Sequence, residues 1–223
     1  MARLTAQDML DIVRDSLGGE TSETISDTRI LRFINQSYLE LSSQYHFDQL
    51  NTSTTITTSS GTTDYELSVD SVQQIHDLVD ETNKFVLDPM NEHQYNKFTS
   101  GGTQSGNAVY WLIHGVGPNN RWQLRLWPTP NSTATIRVHY QKKPTELVLS
   151  PAATSTVIPE EWDDSIIYRA VSRGWMMLGD PDVAAKWRQA SMANDRAAYK
   201  STYHPSKIRE RVRSKVGGAL LDV

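Results

Sequence analysis

The sequence predicts an α+β fold: a helical bundle built from the N- and C-terminal segments, an inserted antiparallel β-sandwich or barrel, and an extended C-terminal arm. Three observations carry this expectation. Apolar residues recur at three- and four-residue spacing at both ends of the chain, whereas alternation and frequent turn residues take over in the middle. The final stretch is basic and poor in packing side chains. The boundaries expected are residues 1–50 and 157–202 for the bundle, 51–156 for the β-rich module and 203–223 for the arm.

The first helix is signalled by Thr5 as N-cap with Asp8 three residues on, flanked by Leu4 and Met9 at the staple positions. Met9, Leu10, Val13 and Leu17 form its apolar face, and Gly18-Gly19 ends it. A second helix starts at Ser26 or Asp27, with Ile30, Phe33, Ile34, Tyr38, Leu41 and Tyr45 along one side. The short link makes the two helices antiparallel neighbours.

Character changes at Asn51. The Thr/Ser-rich run from Asn51 to Ser60 is poor helix material and suits an edge strand. Gly61 and Asp64 mark a turn, and the strands Val72–Val79 and Lys84–Leu87 flank a hairpin turn at Asp80–Asn83. Pro89 opens a short helix from Met90 to Phe98, and the polar stretch Thr99–Asn107 reads as a mobile loop. Three more strands follow at Val109–His114, Trp122–Trp127 and Thr135–Tyr140. Alternation puts Trp122, Leu124 and Leu126 on one face of the second, and Ile136, Val138 and Tyr140 on one face of the third. Six or seven short strands with frequent turns point to a small sandwich or barrel. Helix returns after Pro159 with a stripe of Trp162, Ile166, Ala170, Val171 and Trp175; Asp180 caps the last long helix, which runs to about Tyr199.

Composition narrows the classes of function. At 223 residues, with 22% charged and 38% hydrophobic side chains, the chain matches an ordinary globular protein with a real core. No apolar run approaches the roughly 20 residues that span a bilayer. The start, Met1-Ala2-Arg3-Leu4, runs straight into a helix pattern without an apolar leader, so synthesis in a cytosol is expected. The absence of cysteine excludes disulfides, thiol catalysis and thiolate metal sites. Net charge is −4 but unevenly spread: −10 over residues 1–100, +3 over 101–160, −1 over 161–199 and +4 over 200–223. Opposite fields at the two ends favour head-to-tail contact between copies or docking on an acidic partner.

Catalytic chemistry is hard to find. His46, His76, His93, His114, His139 and His204 are scattered, with no two at the spacing one helix or strand needs to share a metal. Glu160-Glu161 and Asp163-Asp164 offer paired carboxylates, yet they open a helix, where acids meet the macrodipole favourably. No phosphate-binding glycine loop and no Gly-x-Ser-x-Gly elbow is present. The expectation is therefore a protein that is not an enzyme and carries no cofactor, metal or catalytic residue. The tail stands apart. Lys200, Lys207, Arg209, Arg211, Arg213 and Lys215 face Glu210 alone from 200 to 215, and Ile208, Val212 and Val216 recur at four-residue spacing. A helix formed there on a partner presents an apolar stripe flanked by arginines.

The order of these pieces resembles the head-to-tail adaptor (connector, or head-completion) proteins of tailed bacteriophages. The carriers are Ile34-Asn35-Gln36-Ser37-Tyr38-Leu39-Glu40-Leu41, Tyr65-Glu66-Leu67, Leu87-Asp88-Pro89, Leu124 to Pro130, Val138 to Pro144 and Val157 to Trp162. At Tyr65-Glu66-Leu67-Ser68 the sequence departs from the family, which often has proline after the leucine. The resemblance implies a structural virion protein whose copies form a ring, commonly of twelve, in the neck between head and tail after synthesis in the host cytoplasm. Its partners would be further copies, the portal protein and tail or nozzle proteins, with double-stranded DNA passing through the bore and no membrane contact. The portal-docking arm would comprise Tyr203, Lys207, Ile208, Arg209, Arg211, Val212, Arg213, Lys215 and Val216. Two other readings compete: a nucleic-acid-binding protein using the basic tail as a phosphate clamp, and a β-rich tail or receptor-attachment protein using the loop at 99–107.

Overall fold

The computed structural model describes residues 3–19, 24–150 and 152–203. They form two compact units, one drawn from Met1–Tyr45 and Thr145–Val223, the other His46–Pro144.

The first unit is helical. α1 (Ala6–Ser16) opens with a full capping box. The Thr5 hydroxyl accepts from the Asp8 amide at 3.2 Å, and the Asp8 carboxylate accepts from the Thr5 amide at 2.8 Å and its hydroxyl at 2.7 Å. Those bonds hold the Asp8 carboxyl below its ordinary range. α2 (Asp27–Gln44) follows, with Ile30, Ile34, Tyr38 and Leu41 buried. A 3-10 turn, Glu160–Trp162, leads into α4 (Asp163–Leu178), which ends on left-handed Gly179. α5 (Pro181–Tyr203) is longer than the sequence pattern indicated. Its first turn is capped by Asp180, whose carboxylate accepts from the Val183 amide at 3.1 Å. α1 approaches α4 so closely at Gly174 that an added Cβ would lie 2.7 Å from both Leu17 methyls. Trp162, fully buried, donates from Nε1 to Thr202 at 3.2 Å and stacks at a tilt 4.6 Å from Tyr45.

The second unit holds one curled seven-stranded sheet. In chain order its strands are β1 (Asn51–Thr57), β2 (Asp64–Glu66), β3 (Val72–Asp80), β4 (Phe85–Pro89), β6 (Tyr110–Val116), β7 (Trp122–Trp127) and β9 (Thr135–Lys142). Spatially they run β1-β9-β3-β4-β6-β7-β2. Short β5 (Ser105–Gly106) and β8 (Thr129–Pro130) pair separately, so the stretch read as a mobile loop contains a strand. The β3–β4 turn is built on buried Asp80, whose carboxylate accepts from the amides of Thr82 and Asn83 at 2.9 and 2.8 Å. All neighbours in the seven-stranded sheet are antiparallel except β4 and β6. That parallel step is the product of a helical crossover through α3 (Glu92–Thr99), which a pattern of alternating strands does not announce. α3 lies against the sheet through Phe98, stacked 4.7 Å from Trp127, and Tyr95, over which Arg125 sits at 5.2 Å. One core gathers residues from both edge strands, Ile56 of β1 and Tyr65 of β2, with Leu78, Leu124, Leu126, Ile136 and Val138. The predicted faces of β7 and β9 are those that point inward, with Trp122 packed at the margin.

Asp163 illustrates the cost of ionisation in the helical unit. It is 3% exposed and accepts from the Thr156 hydroxyl at 2.8 Å. Burial pushes its carboxyl up to about 6, against the opposing pull of Thr156 and Arg3. A carboxyl raised from 3.8 in this way costs the fold nothing below the lower value and about 3 kcal/mol once pH has risen past 6. Asp163→Asn keeps the acceptor for Thr156 and removes the charge. It is expected to stabilise the protein by about 2 kcal/mol above pH 7 and to change little below pH 4, measured by urea unfolding at both.

Candidate functional site

The helix motif at Ile34–Leu41 does three separate jobs. Ile34, Tyr38 and Leu41 are core. Asn35 faces the returning chain: its carboxamide accepts from the Leu147 amide at 2.7 Å and donates to the Leu147 carbonyl at 3.0 Å. The Tyr38 hydroxyl accepts from the Val157 amide at 2.9 Å, tying down the approach to α4. Glu40 projects from the other side and collects arginines.

Three guanidinium groups converge on that one carboxylate: Arg169 at 2.6 Å, Arg173 at 2.7 Å and Arg188 at 2.5 Å. Arg169 and Arg173 are one helical turn apart on α4 and so share a face, while Arg188 comes from α5. Arg169 is buried and is met also by Asp195 at 2.5 Å, by the Ser191 hydroxyl at 3.1 Å and by the Gln44 side-chain carbonyl at 3.0 Å. Burial pushes the Glu40 carboxyl up, but the Arg188 hydrogen bond and the charges of Arg169, Arg188 and Arg173 outweigh it and hold the group below its usual range.

The cluster forms one wall of an open groove of about 650 Å³ between α2, α4 and α5. Phe33, Met176, Ala184 and Ala185 supply its apolar surface. Met176 is 62% exposed, a large apolar side chain standing at the groove with no cover. With three arginines against Glu40 and Asp195, the groove keeps one net positive charge. Arg173 Nε has no hydrogen-bond acceptor among the described residues. Ion pairing and apolar contact are therefore what this surface offers.

A second recess, in the β unit, gathers residues far apart in sequence: His46, His76 and His139, with Asn51 and Asp77. The His46 and His76 rings meet edge-on at 4.7 Å, and the Asn51 side chain contacts both, at 3.1 and 3.2 Å. Burial, then the nearby His46, lowers the His76 pKa. Among the described residues no group of three His, Asp or Glu side chains can hold a metal ion. The acidic pair Glu160 and Glu161 lies exposed on the 3-10 turn before α4.

Of the arm residues singled out from sequence, only Tyr203 is described; it ends α5, its ring 4.9 Å from Tyr199. Lys207, Ile208, Arg209, Arg211, Val212, Arg213, Lys215 and Val216 lie outside the described residues. The arginine groove was missed by sequence reasoning, although Arg169 and Arg173 at one-turn spacing on a predicted helix were its available signal.

An α+β chain with a helical unit made from its two ends and such a contact surface invites comparison with known assemblies. The chain belongs to the SU10 adaptor protein family, a family of phage head-to-tail adaptors, whose model matches residues 4–214. It is a phage structural adaptor protein. No curated protein matches the chain.

Glu40→Gln tests the shared anion. Leaving three arginines with a neutral acceptor is expected to destabilise the fold by about 2 kcal/mol at pH 7 in urea unfolding. Because the Glu40 carboxyl is depressed in the folded state, its contribution is present above 4.5 and is lost as pH falls through the lower folded value. The gap between wild type and variant should therefore close on acidification, and a gap constant down to about pH 2 would exclude this role for Glu40.

Proposed function

We propose that copies of this chain form a ring in the neck of a phage virion, joining the portal of the head to tail proteins and leaving a bore for double-stranded DNA. The family match across residues 4–214 is the observation that carries the reading. Its work is contact rather than catalysis. The helical unit supplies contacts between copies and toward the portal, and the β unit faces the tail. The segment 203–223, with Tyr203, Lys207, Ile208, Arg209, Arg211, Val212, Arg213, Lys215 and Val216, docks on the portal. There Ile208, Val212 and Val216 are covered and the arginines meet acids. An excess of acid over the first hundred residues suits a wall past which phosphate must slide without sticking. Among the described residues no helix is long and apolar enough to cross a membrane.

Electron microscopy of the protein mixed with its portal protein tests the ring directly: closed rings coaxial with the portal are expected, and a monomer bound at the periphery excludes the reading. Truncation after Tyr203 preserves α5 and the Trp162–Thr202 bond and should leave thermal unfolding unchanged. The same truncation should weaken portal binding by at least about tenfold, measured by interferometry. Undiminished binding sinks the docking role of the arm.

A further inference from the structure

The arginine groove needs a partner that is both acidic and apolar, and the same chain displays one. On α1 the side chains of Asp8, Asp11, Ile12 and Asp15 fall on one face by their spacing of three and four, all exposed, with Ile12 38% exposed in their midst. The opposite face, Met9, Leu10 and Val13, is buried in the bundle. Asp15 stands in the last turn of α1, where the helix dipole disfavours an acid, and its carboxylate has no partner among the described residues. A charge placed against its own helix is explained by a cation from elsewhere.

Among the described residues no cation meets that carboxylate. No α1 residue lines the groove, and the acidic face of α1 points away from the helices α1 packs on. We propose that the α2–α4–α5 groove of one copy receives the acidic face of α1 of the next, with Ile12 against Met176 and Phe33, and Asp11 and Asp15 on Arg173 and Arg188. The inference rests on the ring reading above and names the surfaces that would close it. The charges are of opposite sign: Asp11 and Asp15 on α1 meet a groove with a surplus arginine. The eleven residues of α1 make a rod about 16 Å long. Because the two surfaces differ, the contact is heterologous, and repetition gives a ring or an open helix rather than an isolated dimer.

The chain lacks cysteine, so single cysteines report without interference. Ile12→Cys and Met176→Cys are oxidised separately and as an equal mixture, alone and with the portal protein present, and read on non-reducing gels. The mixture is expected to give cross-linked dimer at least about tenfold above either variant by itself, and the double variant a ladder of higher multimers. Arg188→Glu in the Met176→Cys background should abolish the product, and Asp11→Arg with Asp15→Arg in the Ile12→Cys background should restore it, with helix content by circular dichroism unchanged throughout. A mixture that links no better than the single variants overturns the proposal, as does self-linking of Met176→Cys alone, which would mean groove against groove. Rings seen by microscopy without the Ile12–Met176 link leave the ring reading standing and this contact refuted; no assembly under any of these conditions refutes both.

Discussion

Arg169 lies buried in the helical unit, and a guanidinium removed from water is tolerated only where its charge is met. Everything around it follows from that demand. Asp195 on α5 supplies one carboxylate and Glu40 on α2 the other, while Ser191 and Gln44 take remaining donors. Two helices, α2 far back in the sequence and α5 directly after, thus answer to one side chain on α4. An apolar residue there would pack with as much stability but without specifying which helix lies where. Glu40 is then overcommitted, since Arg173 and Arg188 also turn to it, and the surplus positive charge appears at the surface as a groove. The buried part of the network sets the bundle, and its exposed margin forms a wall of the groove.

The β unit is governed by a different constraint, that of burying one face of a sheet without a second sheet to cover it. Curling lets Ile56 and Tyr65, from the two edge strands, enter one core. The Tyr65 hydroxyl is then positioned to accept from the Ser59 amide and donate to the Thr62 carbonyl, at 3.1 and 2.8 Å. These bonds tie down the loop between β1 and β2.

Local chemistry was legible in the sequence, and through-space pairing was not. The Thr5–Asp8 capping box, the Asp180 cap and the Asp80 turn each lie within four residues, so sequence spacing alone points to them. The inward faces of β7 and β9 follow from alternation alone. α3 starts at Glu92 and not at Met90, because the cap is Asn91, whose side chain accepts from the Gln94 amide, and not Pro89. The parallel β4–β6 step, the β5–β8 pair and the meeting of His46 with His76 depend on which strands choose one another, and periodicity is silent on that choice. The arginine groove joins positions 40, 169, 173 and 188, so its existence waits on the helices being packed.

Strand β1 forms one border of the sheet, and its outward residues are Asn51, Ser53, Thr55 and Thr57. A bordering strand offers unpaired backbone groups to any passing chain, and a greasy one recruits fibrils. Here only Ile56 is buried, toward the core, and the hydroxyl-bearing side chains on the other face keep water at the margin. For a phage structural adaptor, this is a safeguard against pairing through the sheet edge. Encounters through the sheet border find little apolar surface to hold them.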